Sequence, residues 1–359
     1  MKQDIKYYGL RNQGATCYLN SILQVLFMTK EFREAVERCP IDHKDRIDVQ
    51  LHSLFESLKE RTSETRDVTR KLGIERVYEQ YDSGQYFEKI LSMVSDEASK
   101  VFKGNLTHRT VCGGCSAHTE EDVPFWYLSL PLMDSSDKNY SVEDAIEEFL
   151  KDSEFNGDDQ LYCDECEEKH DTTVKYKLKH NPEVLMLLLK RFVYQRRSYI
   201  KDSHAVDVYY TINVPENQTY ELYALVEHFG TLKGGHYTAR IKPQDEEGWF
   251  EFNDSSVTMM SQQETFERSQ SAYLLFYRKK SKKKTGFLSF NTGFISRWFS
   301  KVNFLWFSFV IVSGCALVFL IKRRNNFLHF VYASDTVSFR LYFNRLFAFP
   351  FLGHLPHFN

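Results

Sequence analysis

No apolar run follows the N-terminal Met1-Lys2-Gln3-Asp4-Ile5-Lys6, so the chain opens without the hydrophobic stretch of a secretion signal. Neither sign of charge dominates. Lys and Arg number 46 against 49 Asp and Glu, and the net charge of −3 gives no electrostatic case for nucleic acid as a partner. Internal repeats of roughly 20–50 residues, the mark of solenoids and propellers, are absent. Cysteine is sparse and odd in number. The seven, at 17, 39, 112, 115, 163, 166 and 315, suit thiol or metal chemistry in a reducing compartment better than a disulfide framework. What remains is an ordinary globular balance, 42 % hydrophobic and 26 % charged, in 359 residues. That length holds one large domain or two ordinary ones.

The segment Asn12-Gln13-Gly14-Ala15-Thr16-Cys17 leads into Leu19, Ile22, Leu23, Leu26 and Phe27, whose three- and four-residue spacing predicts a buried helix. Thr16 is positioned to cap it through its hydroxyl. Cys17 then falls in the first turn, where free backbone N–H groups and the helix dipole favour a thiolate. Asn12 is expected to fold its amide back toward that thiol. A lone cysteine in a core is most often structural, so the functional reading needs partners from further along the chain.

Residues 31–103 read mostly as helices, with Ile47, Leu51, Leu54, Phe55 and Leu58 forming the apolar face of one at 46–61. Asp82 and Ser83 are both candidate N-caps for a helix that follows. From Gly104 the pattern changes to short strands at 105–111, 125–132, 173–178, 184–192, 220–228, 236–241, 249–253 and 272–277. One amphipathic helix at 141–150 interrupts them. A helical half followed by a β-rich half predicts an α+β fold.

Cys112-Gly113-Gly114-Cys115 and Cys163-Asp164-Glu165-Cys166 are each C-x-x-C, and together they offer the four soft donors of a closed structural zinc site. Gly234-Gly235-His236-Tyr237-Thr238-Ala239-Arg240-Ile241 and Trp249-Phe250-Glu251-Phe252-Asn253-Asp254 read as a hairpin. Pairing Tyr237 with Phe252 and Ala239 with Phe250 sets His236 opposite Asn253. Asn253 would take the Nδ1–H and leave Nε2 to a thiol, with Asp254 as the alternative orienting acceptor. Two glycines before His236 predict a close backbone approach.

Further on, Lys279-Lys280-Ser281-Lys282-Lys283-Lys284 closes the globular part. Phe304–Ile321 then runs 18 residues without a charge before Lys322-Arg323-Arg324, which meets the length criterion for a membrane-spanning helix. The expected division is therefore a domain at 1–280, a basic linker at 281–302, a membrane helix at 303–322 and a tail at 323–359. The alternative for the last part is an extension foreign to the folded protein.

Taken together, Gly9–Ser21, Leu187–Phe192, Gly234–Ala239, Phe252–Val257, Tyr273–Tyr277 and the two C-x-x-C pairs resemble the catalytic domain of the ubiquitin-specific proteases, from about Tyr8 to Arg278. The resemblance implies a papain-like right-hand architecture with a helical thumb, a β palm and zinc-bearing β fingers. It implies Cys17 as nucleophile, His236 as general base and acid, Asn253 as the orienting residue and Asn12 in the oxyanion hole. Asp82 would receive an arginine of the ubiquitin tail, and Phe192 and Tyr237 would line the channel for its terminal glycines. Cys112, Cys115, Cys163 and Cys166 would hold one structural Zn2+. The implied partners are ubiquitin and ubiquitinated proteins, with the catalytic domain in the cytosol or nucleus; the C-terminal membrane anchor is expected from the apolar run alone, beyond the resemblance. One departure is that the family usually has Gln-Glu where this chain has Gly84-Gln85, which removes a carboxylate from the tail contact. Readings from other classes are a silent ubiquitin-binding protein and a membrane-tethered zinc scaffold.

Overall fold

The helical third is built from α1 (Cys17–Met28), α2 (Lys30–Arg38), α3 (Asp48–Leu58), α4 (Arg66–Lys71), α5 (Ser83–Met93) and α6 (Asp96–Ser99). Every residue of α1 is buried, so its polar side chains need internal partners. Ser21 finds one in the Tyr18 carbonyl, Gln24 in the Tyr8 carbonyl and Asn20 in the Asp254 carboxylate. The helix expected at 46–61 is the shorter α3. Its Leu51, Leu54 and Phe55 pack with Phe32 and Val36 of α2 in the same core. Each such side chain contributes about 1.5–3 kcal/mol on leaving water. The computed structural model describes residues 7–39, 46–132, 140–195, 198–215, 218–231, 234–260, 268–280, 306–312, 316–323 and 326–333.

A pair of long strands follows, β1 (Gly104–Cys112) and β2 (His118–Phe125), joined from Gly104↔Phe125 to Val111↔His118. Next come β3 (Leu128–Leu130), α7 (Val142–Leu150), β4 (Ser153–Phe155), β5 (Leu161–Cys163), β6 (Glu168–His170) and β7 (Thr172–His180). Ser141 and Asp144 close a reciprocal capping box at the start of α7. The four strands β2-β1-β7-β4 make one sheet, and β5 and β6 form a separate hairpin. Sequence periodicity missed β2 because its His-Thr-Glu-Glu-Asp run is exposed. Ladder hydrogen bonds to β1, rather than burial, hold it.

The main sheet collects β8 (Val184–Leu189), β11 (Thr211–Val214), β12 (Gln218–Thr231), β13 (Gly234–Ile241), β14 (Phe250–Asn253), β15 (Ser256–Met259) and β16 (Ala272–Lys279). Before β11 a small hairpin pairs β9 (Phe192–Gln195) with β10 (Ser198–Lys201). The order is β15-β14-β13-β12-β16-β8-β3, with β11 paired to β12, and only β3 runs parallel to its neighbour β8. Both faces are covered. Val184 and Met186 of β8 join the core shared with α1, while Leu185, Leu187 and Leu189 join a second core with α7. A strand buried on both sides reads as a continuous apolar run, as Val184-Leu185-Met186-Leu187-Leu188-Leu189 does. This is the α+β arrangement expected from the sequence, and it sets α1 against β13.

The chain divides into two compact units, Met1–Ser281 and Lys282–Asn359. The second unit contains an antiparallel meander of β17 (Trp306–Val312), β18 (Ala316–Arg323) and β19 (Asn326–Ala333). The expected membrane helix at 303–322 is thereby corrected: its described residues are strands. Phe, Val, Ile and Trp in that run favour β structure as readily as they lengthen an apolar helix. Among the described residues no helix is long and apolar enough to cross a membrane. The expected linker at 281–302 and the tail after Ala333 lie outside the described residues.

Candidate active site

Cys17 is the first residue of α1 and only 3 % exposed. The loop before it is shaped by Asn12, whose Oδ1 accepts the N–H groups of Gly14 at 2.8 Å and Thr16 at 3.0 Å. Thr16 stands at the N-cap but makes no capping bond. Its hydroxyl accepts from the Gln13 N–H and bonds to Asn12 Oδ1, so the expected cap is corrected: the loop, not the helix, claims the oxygen. Gly14 has φ +146°, and a Cβ there would sit 2.8 Å from the Tyr78 ring and 3.0 Å from the Val77 carbonyl. Only glycine lets the segment at Val77 and Tyr78 lie this close. The Ala15 N–H donates to the Val77 carbonyl at 2.7 Å.

His236 projects from β13, half-buried. The ladder between β13 and β14 pairs Ala239 with Phe252 and Ile241 with Phe250, two residues from the expected register. A two-residue shift preserves which side chains share a face, so His236 still reaches Asn253. Their contact is Nε2 to Oδ1 at 2.8 Å. The expected ring orientation is therefore reversed: Asn253 holds Nε2, which leaves Nδ1 for the thiol. Hydrogen bonding to Cys17, then to Asn253, with the charge of Asp254 behind them, raises the His236 pKa from 6.5 to about 9 against the opposing effect of burial. The imidazole is held in its protonated form.

Asp254 does not orient the ring. Its Oδ1 accepts from Asn20 Nδ2 at 2.8 Å and its Oδ2 from Asn12 Nδ2 at 2.9 Å. The expected Asn12–thiol contact is corrected accordingly: one amide hydrogen of Asn12 is committed to Asp254. The Asp254 carbonyl also accepts the Leu10 N–H at 2.8 Å. The residue thus bolts the turn after β14 to the Cys17 loop and to α1.

The glycines before His236 are explained at Gly235, where a Cβ would lie 2.2 Å from His228 Nε2 and 2.4 Å from the Phe229 carbonyl. Burial pushes the His228 pKa down to about 4, so this ring is neutral. His228 packs between Phe192, with ring centroids 5.1 Å apart, and Tyr237, at 4.5 Å. Phe192 and Tyr237 thus meet through a histidine that no sequence pattern singled out. Asp82 caps α5, its Oδ1 accepting the Gln85 N–H at 3.0 Å, and its Oδ2 accepts from the Tyr273 hydroxyl. At Gly84 a Cβ would fall 2.6 Å from Leu188 Cδ1, a packing reason for the small residue.

A second side chain unmarked in the sequence is Gln80, in the loop before α5. Its Nε2 donates to the Gly235 carbonyl at 2.7 Å and to Cys17 Sγ at 3.6 Å, and its Oε1 accepts the Gly235 N–H at 2.6 Å.

At the tip of the β1-β2 sheet and the β5-β6 hairpin, the sulfurs of Cys112, Cys115, Cys163 and Cys166 all lie within 4.8 Å of one another. Cys112 and Cys166 are 3.9 Å apart, and Cys115 and Cys163 3.7 Å. Tetrahedral zinc with Zn–S bonds of about 2.3 Å requires sulfurs about 3.8 Å apart. Backbone N–H groups, of Cys115 foremost, pull the Cys112 thiol down to about 6, while hydrogen bonding to Cys115 pushes the Cys166 thiol up. Four sulfurs this close ionise together only around a cation. The cluster could hold one zinc ion.

The profile described as "Ubiquitin carboxyl-terminal hydrolase" matches residues 8–277. Among curated proteins the chain is similar to Ubiquitin carboxyl-terminal hydrolase 48 of Danio rerio, 29 % identical over 71 % of this chain and 27 % of that one. It is also similar to Ubiquitin carboxyl-terminal hydrolase 15 of Schizosaccharomyces pombe, 28 % identical over 78 % of this chain and 29 % of that one. Ubiquitin carboxyl-terminal hydrolase 2 of Bos taurus is 28 % identical over 75 % of this chain and 54 % of that one. The chain thus spans roughly a quarter to a half of the length of these relatives.

Proposed function

Because the chain belongs to the ubiquitin carboxyl-terminal hydrolase family, we propose that it is a deubiquitinase, a thiol hydrolase acting on the bond after ubiquitin's C-terminal glycine. The observation that carries the reading is the contact of Cys17 with a His236 whose other nitrogen is held by Asn253. A thiolate–imidazolium pair of this kind combines a ready nucleophile with a proton donor. The thiolate attacks the glycine carbonyl carbon. The backbone N–H groups at the start of α1, with the Asn12 amide hydrogen not bound to Asp254, stabilise the oxyanion. His236 gives its proton to the departing lysine amine, and Cys17 is left as a thioester. His236, now neutral, takes a proton from the water that hydrolyses it, and the thiolate is regenerated.

The tail of ubiquitin would run past Phe192, with His228 and the buried Tyr237 packed behind it, and the Asp82 carboxylate supplies negative charge for a cationic side chain there. Cys112, Cys115, Cys163 and Cys166 would hold a zinc ion that stiffens the sheet tip and has no open position for catalysis. A silent ubiquitin-binding role leaves the aligned Cys17–His236 pair without a purpose.

The test is hydrolysis of ubiquitin carrying a C-terminal fluorogenic amide. The 359-residue chain releases the fluorophore and Cys17→Ala does not. No release by the wild-type chain, with folding verified, overturns the proposal.

A further inference from the structure

Among the neutral side chains that cross the seam between the cysteine-bearing helices and the histidine-bearing sheet, Gln80 lies against both Cys17 and the residue before His236. Gln80 meets both backbone polar groups of Gly235, donating to the carbonyl at 2.7 Å and accepting the N–H at 2.6 Å. That two-way exchange is what a neighbouring strand would offer. At Gly235 β13 is paired with β12, while its pairing with β14 begins only at Ala239. The same Nε2 lies 3.6 Å from Cys17 Sγ, within reach for a donor to sulfur. The loop carrying Gln80 is itself fastened to the cysteine loop through Ala15 N–H and the Val77 carbonyl. Gly235 immediately precedes His236, so a residue fixed to its backbone sets where the imidazole begins.

We propose that Gln80 is a positioning residue, which registers the His236 strand against Cys17 and donates a hydrogen bond to the thiolate. The ionisable groups that feel this thiol are His236 and Tyr237 on β13 and Tyr18 on α1, with Asp82 and Asp254 acting on the first two. Gln80 is neutral, so replacing it with alanine alters orientation and hydrogen bonding while leaving the set of charges intact. A glutamate keeps the acceptor for the Gly235 N–H but loses the donor and sets a negative charge against both the carbonyl and the sulfur.

The inference rests on Cys17 being the reactive thiol, and the first readout of its test needs no ubiquitin. The rate of Cys17 alkylation by iodoacetamide is measured against pH, located by peptide mass, for the wild-type chain, Gln80→Ala and Gln80→Glu. Alanine should lower the rate near pH 6 about fivefold and move the profile to higher pH, and glutamate should lower it further, as expected on losing a bond to a charged acceptor. With ubiquitin substrate, kcat should fall and KM hold. A strut without influence on the thiol would cost thermal stability and leave the alkylation profiles superimposed, which would overturn the proposal. A lower KM for Gln80→Ala with an unchanged profile would overturn it too, by revealing a placeholder that the substrate displaces.

Discussion

Asp254→Asn is expected to damage the site more than Asn253→Ala does, although Asn253 is the residue that touches the imidazole. In the structure Asn253 makes one bond, from His236 Nε2 at 2.8 Å, and is exposed, so water can replace it. Its loss is worth about 1 kcal/mol, or about fivefold in rate. Asp254 accepts from Asn20 and Asn12 at once and adds its charge to the field that keeps His236 protonated. Asparagine has the same shape and tolerates the φ of 50° at this position. Its amide, however, must turn an NH2 toward one of the two amide donors. One charge-assisted bond becomes a donor facing a donor and the other becomes neutral, a cost of about 2 kcal/mol or more, near thirtyfold in rate. Steady-state kcat/KM on a fluorogenic ubiquitin amide, with thermal unfolding as a control for folding, reads both variants. If Asn253→Ala loses more activity than Asp254→Asn, the argument that Asp254 anchors the Cys17 loop is wrong.

Metal analysis should find roughly one zinc per chain. Chelation or Cys163→Ser should lower the unfolding temperature while iodoacetamide still labels Cys17, and intact stability after metal removal would count against a structural site. His236 has a folded pKa raised to about 9. The stability it contributes is complete below its unfolded value near 6.5 and is lost as pH rises through 9. Unfolding midpoints should therefore fall across that window, and less so in Cys17→Ala. His228 behaves oppositely, with a folded pKa near 4. Its proton uptake on unfolding should erode stability from about pH 6.5 downward, an erosion that His228→Phe should reduce if the larger ring is accommodated.

Much of this was legible in the sequence because it depends on local spacing. The apolar stripe of α1, the unbroken run of β8 and the paired cysteines each carry their signal within a few residues. The hairpin bearing His236 was recognisable, but its register was not. Alternation has a period of two, so a two-residue shift puts the same residues on the same faces. Asn253 reached His236 in either alignment, and only the ring nitrogen changed. Gln80 left no trace because its partner is a backbone 155 residues away, whose N–H and carbonyl carry no side-chain signature. The two roles of Asp254, likewise, depend on Asn12 and Asn20 arriving from the far end of the chain. The C-terminal apolar run was ambiguous by composition, and the structure resolves its described residues as strands.

The most direct test of the central claim, that Cys17 and His236 meet to form a reactive pair, is capture by ubiquitin bearing a C-terminal electrophile, read by intact mass and peptide mapping. A single adduct on Cys17, absent in Cys17→Ala and much slower in His236→Ala, is the predicted result. An unmodified wild-type chain, or labelling of Cys17 at the same rate with and without His236, would contradict the account.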